Sequence, residues 1–554
     1  MTENDQEYED QIKRNALLLQ KYLKEGRIKL PYSPELEHSL LACRYGADGE
    51  VDLNTVDATV RCLALMAGHM EYQDKCRDLI SLKEIQDIYF TFIYKNFSYF
   101  YDMMVKSQAT PHQIASAAAY GKCDFHDLLD KLDDFLIAIV DFWEHYSASA
   151  YIHVEDSYNT LKGVFGGELF PTENVASKCG IYLDTIVLPC PFIRSKSLFS
   201  RWGDKEKIYY LIKHALNILS YRNLILADTE YPIVVILPDK EMLHEVDRDY
   251  VISLGEQDAL FHSGKLFGRT FSSVDELLEY SEEFDTVEKV IANIKDKKRI
   301  LFDADNTKSI EEQFIEQVRG ESSQLLGTNH PGLILAGWSI GRMDVCNEIL
   351  IKSLTLHGTP VIDAPTSWQY FKWKMEYDAE RTYPDQDIKS LHVVKGLQHL
   401  GHTPLQWIGK VPPEALIELR KTGAINEIRS ILAKGIDELI SADHLDFTAT
   451  SHQVFNNLNS AFTQHEKNIK ELRAKKWKVA GTDFGSWLVM GSIEIASACI
   501  GTPLYGVSTA ILNQIIDAPK LKDLPKSINK IKDIQKNVAL LKKSPVGLMF
   551  NYHP

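Results

Sequence analysis

Between residues 175 and 410 the chain alternates short apolar, β-branched runs with segments of helical periodicity. The runs are Ile181–Leu188, Pro232–Leu237, Arg299–Phe302, Leu333–Ala336 and Pro360–Ile362; helical spacing fills Lys205–Ala227, Val274–Ser281 and Val287–Ile294. A strand that is apolar on both sides must be covered on both faces. A helix between two strands returns the chain so that the next strand runs in the same direction. The pattern predicts a mostly parallel sheet layered with helices.

The flanks carry helical patterns. Thr110-Pro111-His112-Gln113 holds an N-cap, a proline at the first helical position and a capping-box glutamine, and Gly121 closes that helix. Phe125, Leu128, Leu129, Leu132, Phe135, Leu136 and Ile139 repeat at helical spacing, and Tyr89, Phe90, Phe92, Phe97, Phe100 and Tyr101 give the preceding segment an aromatic core face. After Pro412, Leu416, Leu419, Ile425, Ile428 and Leu432 mark one amphipathic stretch, and Phe455, Leu458, Phe462 and Ile469 another. The expected fold is therefore α-dominated and multidomain: an α-helical unit over 1–165, an α/β unit over 175–410 and an α-helical unit over 411–554.

Charge and cysteine usage narrow the partners. Lys plus Arg number 61 against 77 for Asp plus Glu, a formal charge of −16, so a phosphate backbone is repelled and nucleic acid is an unlikely partner. The first residues, MTENDQEYED, are acidic and contain no apolar run, unlike a secretory or transit leader. None of the eight cysteines stands in a CxxC pair, which fits reduced thiols and a cytoplasmic location. The segment 485–516 is nearly uncharged, with Glu494 its one charged residue, and Gly501-Thr502-Pro503 divides it into the two arms of an apolar hairpin. Residues 517–544 follow with eight lysines against three aspartates, and Ile528, Ile531, Ile534, Val538 and Leu541 lie at helical spacing. A basic amphipathic tail beside an apolar hairpin is suited to a protein partner or an anionic membrane surface, and equally to an ordinary helical core with solvated lysines.

Two sets of side chains invite chemical readings. Gly337-Trp338-Ser339-Ile340-Gly341 matches G-x-S-x-G after an apolar run and before a helical pattern. Over about twenty residues this resembles the nucleophile elbow of α/β-hydrolases. The resemblance implies attack by Ser339, proton transfer by His402 (or His399) and orientation of that histidine by Asp363. The second set is acidic. Asp239, Asp303, Asp305 and Asp363 each close a strand-like run, and in a parallel sheet such ends open onto one crevice where carboxylates hold Mg²⁺. Asp303-Ala304-Asp305-Asn306-Thr307 resembles the DxDxT motif of haloacid-dehalogenase-type phosphatases, which implies a nucleophile at Asp303 and an acid/base at Asp305. Leu183-Asp184-Thr185 is similar to the opening of PIN-type nucleases. Asp, Asn and Thr are also favoured helix N-caps, and the same residues serve as punctuation of a scaffold.

The functional expectation is a cytosolic multidomain interaction or effector protein, of the kind a bacterial stress or phage-defence system employs. Its middle unit senses or binds, and its C-terminal helical unit docks to a partner or membrane. The alternatives are a serine hydrolase using Ser339, or a phosphoesterase using Asp303 and Asp305 with Mg²⁺, the one cofactor then required.

Overall fold

A computed structural model describes residues 3–474, apart from 31–32, 47–48, 122–125, 172–173, 303–306, 321–326, 382–387 and 401–410, together with 478–479 and 482–483. The described chain is mostly helical, with a small parallel sheet in its middle between helical N-terminal and C-terminal parts. It divides into two compact units, one made of residues 1–85 and 144–157, the other of 86–143 and 158–554.

In the first unit, α1 (Glu3–Lys24) packs along α2 (Ala58–Leu79) around Leu19, Tyr22, Val60, Ala64 and Ala67. Asp57 starts α2 by accepting the Val60 N–H at 2.9 Å, and near its other end Arg77 forks onto Asp156 at 2.5 and 2.9 Å.

The second unit begins within the aromatic helix α3 (Leu82–Ser107), of which Tyr89, Phe90, Phe97 and Phe100 are buried. The helix α4 (Pro111–Tyr120) starts with the expected reciprocal cap: Gln113 N–H donates to Thr110 Oγ1 at 3.2 Å and Thr110 N–H to Gln113 Oε1 at 2.9 Å. Within α5 (Leu132–Glu155), Phe135 stacks on Phe92.

The sheet has four parallel strands, β1 (Lys162–Phe165), β2 (Thr185–Pro189), β3 (Val234–Leu237) and β4 (Gly358–Val361), in the order β3-β2-β1-β4. Lys162 pairs with Thr185 on one side and Gly358 on the other, and Ile186 pairs with Val234. The first three strands step in one direction, and the chain then returns to the far side of β1. The border of β1 and β4 is thus the point where winding reverses, and the crevice outside the carboxyl ends is where such sheets take ligands. On the outer edge of β3, Gln86 stands in for a missing strand: its amide donates to Ile236 O and accepts from Ile236 N–H, both at 2.9 Å.

Two expected strands are absent. Leu333–Ala336 lies inside the helix α8 (Pro331–Thr355), preceded by α6 (Asp204–Ser220) and α7 (Glu245–Phe267). His330 caps α8 and Pro331 occupies its first turn, and the buried positions continue through Leu335, Ser339, Met343, Cys346 and Ile349 at helical spacing. Four apolar residues fit a buried helix as well as a strand, and here the longer periodicity decides. Arg299–Phe302 forms a 3-10 turn and an irregular stretch whose Phe302 enters an all-helical cluster with Phe314, Phe284, Leu266 and Ile334. Conversely, β1 replaces the helical end expected before residue 165. Its Lys162 is buried and donates Nζ to Leu356 O at 3.0 Å, so a charged residue sits where apolar patterning is sought.

Beyond the sheet, α9 (Pro365–Arg381) leads to α10 (Lys389–His399), which packs against α11 (Phe447–Ala474). His392 lies flat on Phe447 at 4.0 Å, with Nδ1 2.8 Å from Thr450 Oγ1 and Nε2 3.1 Å from His444 O, so both ring nitrogens are engaged in packing α10 on α11. Among the described residues no helix is long and apolar enough to cross a membrane. The hairpin 485–516 and the tail 517–544 lie outside the described residues. The six described cysteines are free thiols.

Candidate functional site

Three elements bring charge to the carboxyl edge of the sheet. After β2, Cys190 opens a helical turn, Pro191–Arg194, that turns Arg194 back over the strand ends. After β3, Pro238 breaks the ladder and Asp239 follows, fully buried, with Glu241 in the next turn. The C-terminal half of α8 supplies Glu348 and Lys352, four residues apart on one face.

The contacts are close. Arg194 Nε donates to Asp239 Oδ2 at 2.7 Å, Nη1 to Glu168 O at 2.6 Å and Nη2 to Glu348 Oε1. Lys352 Nζ donates to Asp239 Oδ1 at 2.5 Å. Glu241 Oε1 is buried with no hydrogen-bond partner, and carboxylate oxygens of Asp239, Glu241 and Glu348 lie within 4.8 Å of one another. Burial alone would raise the Asp239 carboxyl, but Arg194 and Lys352 outweigh it and hold that group below its ordinary value. Glu241 has no such cation of its own. Burial, then the charges of Asp239 and Glu348, push it up to about 8. Glu348 is raised by burial and by Asp239 against the pull of Arg194 and Lys352. Three carboxylates around two cations form a set one proton short of neutrality, and burial raises both Glu241 and Glu348 toward holding that proton.

A pH dependence follows. Glu241 at about 8, and Asp344, raised to about 7 by burial and by Glu256 and Glu348, keep protons in the fold that the unfolded chain releases. Their contribution is present at low pH and lost as pH rises through these folded values. His214 and His262, held near 3 by burial, act with the opposite sign and lose stability as pH falls below about 6.5. The urea midpoint of the chain is expected to fall between about pH 6.5 and 8.5, the window set by these groups, and Glu241→Gln to remove much of that fall. An unchanged slope in the variant would show that Glu241 ionises freely.

Of the residues singled out in the sequence, Asp239 is the one this cluster contains. Ser339 is 1% exposed in the middle of α8, so the strand, turn and helix of a nucleophile elbow do not form around it. Asp363 stands at the end of β4 as expected, but its Oδ1 accepts from Gln398 Nε2 at 2.8 Å, and the only one of the two triad histidines described, His399, has Nδ1 3.2 Å from Ser451 Oγ. His402, Asp303 and Asp305 lie outside the described residues. Asp184 accepts the Leu161 N–H at 2.8 Å and pairs with Arg429 at 2.7 Å, a structural role at the start of β2. The sequence reading missed Arg194, Glu241, Glu348 and Lys352. The available signal was two charged residues, Glu348 and Lys352, placed four apart in the C-terminal half of a largely apolar helix.

The exit of β1 connects this cluster to the end of β4. Gly167 has φ +89°, a conformation that favours glycine, and its carbonyl accepts from Ser367 Oγ at 3.0 Å while the next carbonyl, of Glu168, is held by Arg194. Beside β4, the Lys395 ammonium is buried, donates to Ile362 O at 3.2 Å and lies 4.3 Å from the centre of the Trp368 ring. Comparison with protein families, curated proteins and solved structures finds no match for this chain.

Proposed function

We propose that the α/β part is a divalent-cation-dependent binder of phosphate-bearing small molecules, serving an effector protein whose helical parts carry the response. The observation that supports this reading is the convergence of Asp239, Glu241 and Glu348 on one point, with a buried Glu241 oxygen left unpartnered, beside Arg194 and Lys352. A hard cation takes oxygen ligands and replaces the proton of Glu241. Once the carboxylates are neutralised by the cation, the guanidinium and ammonium are released to a phosphate, for which Arg offers two parallel donors. Hydrolysis of the bound ester through Asp303 and Asp305 is a further proposal that turns on residues outside the described part.

Calorimetric titration of the full chain with MnCl₂, then with inorganic phosphate, tests the proposal. One Mn²⁺ per chain is expected, weakened at least about tenfold by Glu241→Gln, with phosphate heat seen only when Mn²⁺ is present. Arg194→Lys is expected to keep Mn²⁺ and to lose phosphate affinity. Absence of Mn²⁺ heat, or equal affinity in Glu241→Gln, would overturn the reading.

A further inference from the structure

The end of β4 holds a second polar set that the cation cluster does not use. Lys395 is 5% exposed, yet among the described residues no carboxylate lies within ion-pair distance of its Nζ. A buried lysine normally finds such a partner, because an uncompensated ammonium is costly away from water. Here one carbonyl, Ile362 O, and the face of Trp368 are its neighbours. Burial, only partly offset by the more distant Asp363, brings the amine down to about 8. At pH 7 about a tenth of such an amine is unprotonated, far more than for a lysine in water, and the unprotonated form is the one that attacks carbonyls. Beside the buried amine at the end of β4, Asp363, Trp368 and Gln398 are only half-buried. Gln398 fixes one oxygen of Asp363 at 2.8 Å, whereas the other, Oδ2, is buried and without a partner, an acceptor in want of a donor.

We propose that Lys395 is an amine nucleophile toward a small neutral hydroxy-aldehyde or hydroxy-ketone, with Asp363 accepting the substrate hydroxyl and shuttling the proton. The Nζ lone pair attacks the carbonyl carbon as the C=O π electrons move to oxygen. Asp363 takes a proton from nitrogen and gives it to the alkoxide oxygen to form the carbinolamine, then relays a second proton from nitrogen to the resulting hydroxyl. That group leaves as water while C=N forms, so amine and carbonyl give imine and water with no redox change. Lys395 is the catalytic residue, and Gln398 is a positioning residue acting through Asp363.

The test incubates the full chain briefly with glycolaldehyde and cyanoborohydride, which delivers hydride to an imine carbon, and maps the modified lysines by peptide mass spectrometry. The expected result is labelling of Lys395 at least about tenfold faster than any other lysine. Asp363→Asn is expected to slow it at least about tenfold while labelling of surface lysines is unchanged, a readout that a folding defect would not reproduce. Lys395→Met, which keeps the stem in its apolar slot, is expected to abolish the dominant adduct. Labelling spread over surface lysines with Lys395 unmodified would overturn the proposal, as would an unchanged rate in Asp363→Asn. None of these outcomes depends on Mn²⁺ or phosphate, so this site and the cation site stand or fall separately.

Discussion

Asp239→Ala is expected to cost about 3–5 kcal/mol of folding stability, the usual cost of breaking a buried ion pair from one side. Asp239 is fully buried and is the shared partner of Arg194 and Lys352, which are themselves buried. Removing it leaves two cations out of water; among the described residues Glu348 is then the one carboxylate in ion-pair contact with Arg194, and none is in contact with Lys352. Asp239→Asn keeps the volume and one acceptor and is expected to lose less. Replacing Arg194, Asp239 and Lys352 together by apolar residues of similar size is expected to recover much of the loss, because no uncompensated charge then remains. Urea unfolding of the three variants measures the order, and a loss under about 1 kcal/mol for Asp239→Ala would show that the cluster is solvated rather than dry.

Phe314→Ala is expected to be comparably severe, about 3–5 kcal/mol, for a different reason. Phe314 is fully buried, stacks on Phe302 with ring centres 5.1 Å apart, and sits amid Leu266, Phe284 and Ile334. The cluster is built entirely between helices and turns, so a deleted ring leaves a void that no adjacent strand can slide to fill. Phe314→Leu is expected to cost roughly half as much, since most of the volume survives. Thermal unfolding followed by near-ultraviolet circular dichroism reads both. A small change for Phe314→Ala would mean that residues 266–336 collapse readily around a gap.

The parts of the fold that could be read in advance are those whose local pattern is unambiguous. Ile181–Leu188 and Pro232–Leu237 are rich in β-branched residues; the second holds the strand Val234–Leu237, and the first only in its latter half, where Thr185–Pro189 begins. Thr110 and Gln113 mark a helix start through adjacent atoms, and the cap forms. Asp239 was legible as an acid after a strand because one strand and one proline define its place. The remainder of the cluster was not, since Arg194 reaches Asp239 across 45 residues of chain and Lys352 reaches it across 113. Nothing local to Arg194 distinguishes it from a surface arginine. The misreading of Leu333–Ala336 as a strand had a further consequence: it turned Ser339 into the tip of an elbow and concealed that Glu348 and Lys352 lie on the same long helix. β1 escaped notice because Lys162 and Gly163 interrupt the apolar run that would have announced it.

The placement of β4 bears on how the protein is made. Its partner β1 emerges from the ribosome about 200 residues earlier, at Lys162, whereas Gly358 pairs with it only after the whole helical excursion that follows β3 has been synthesised. For that interval β1 presents a bare row of amides and carbonyls in a half-built sheet, a template for other nascent strands. The topology thus leaves an unpaired strand edge open during synthesis. Stalling translation just before residue 358 should yield a chain that aggregates, while one released after α8 and β4 have cleared the exit tunnel should not.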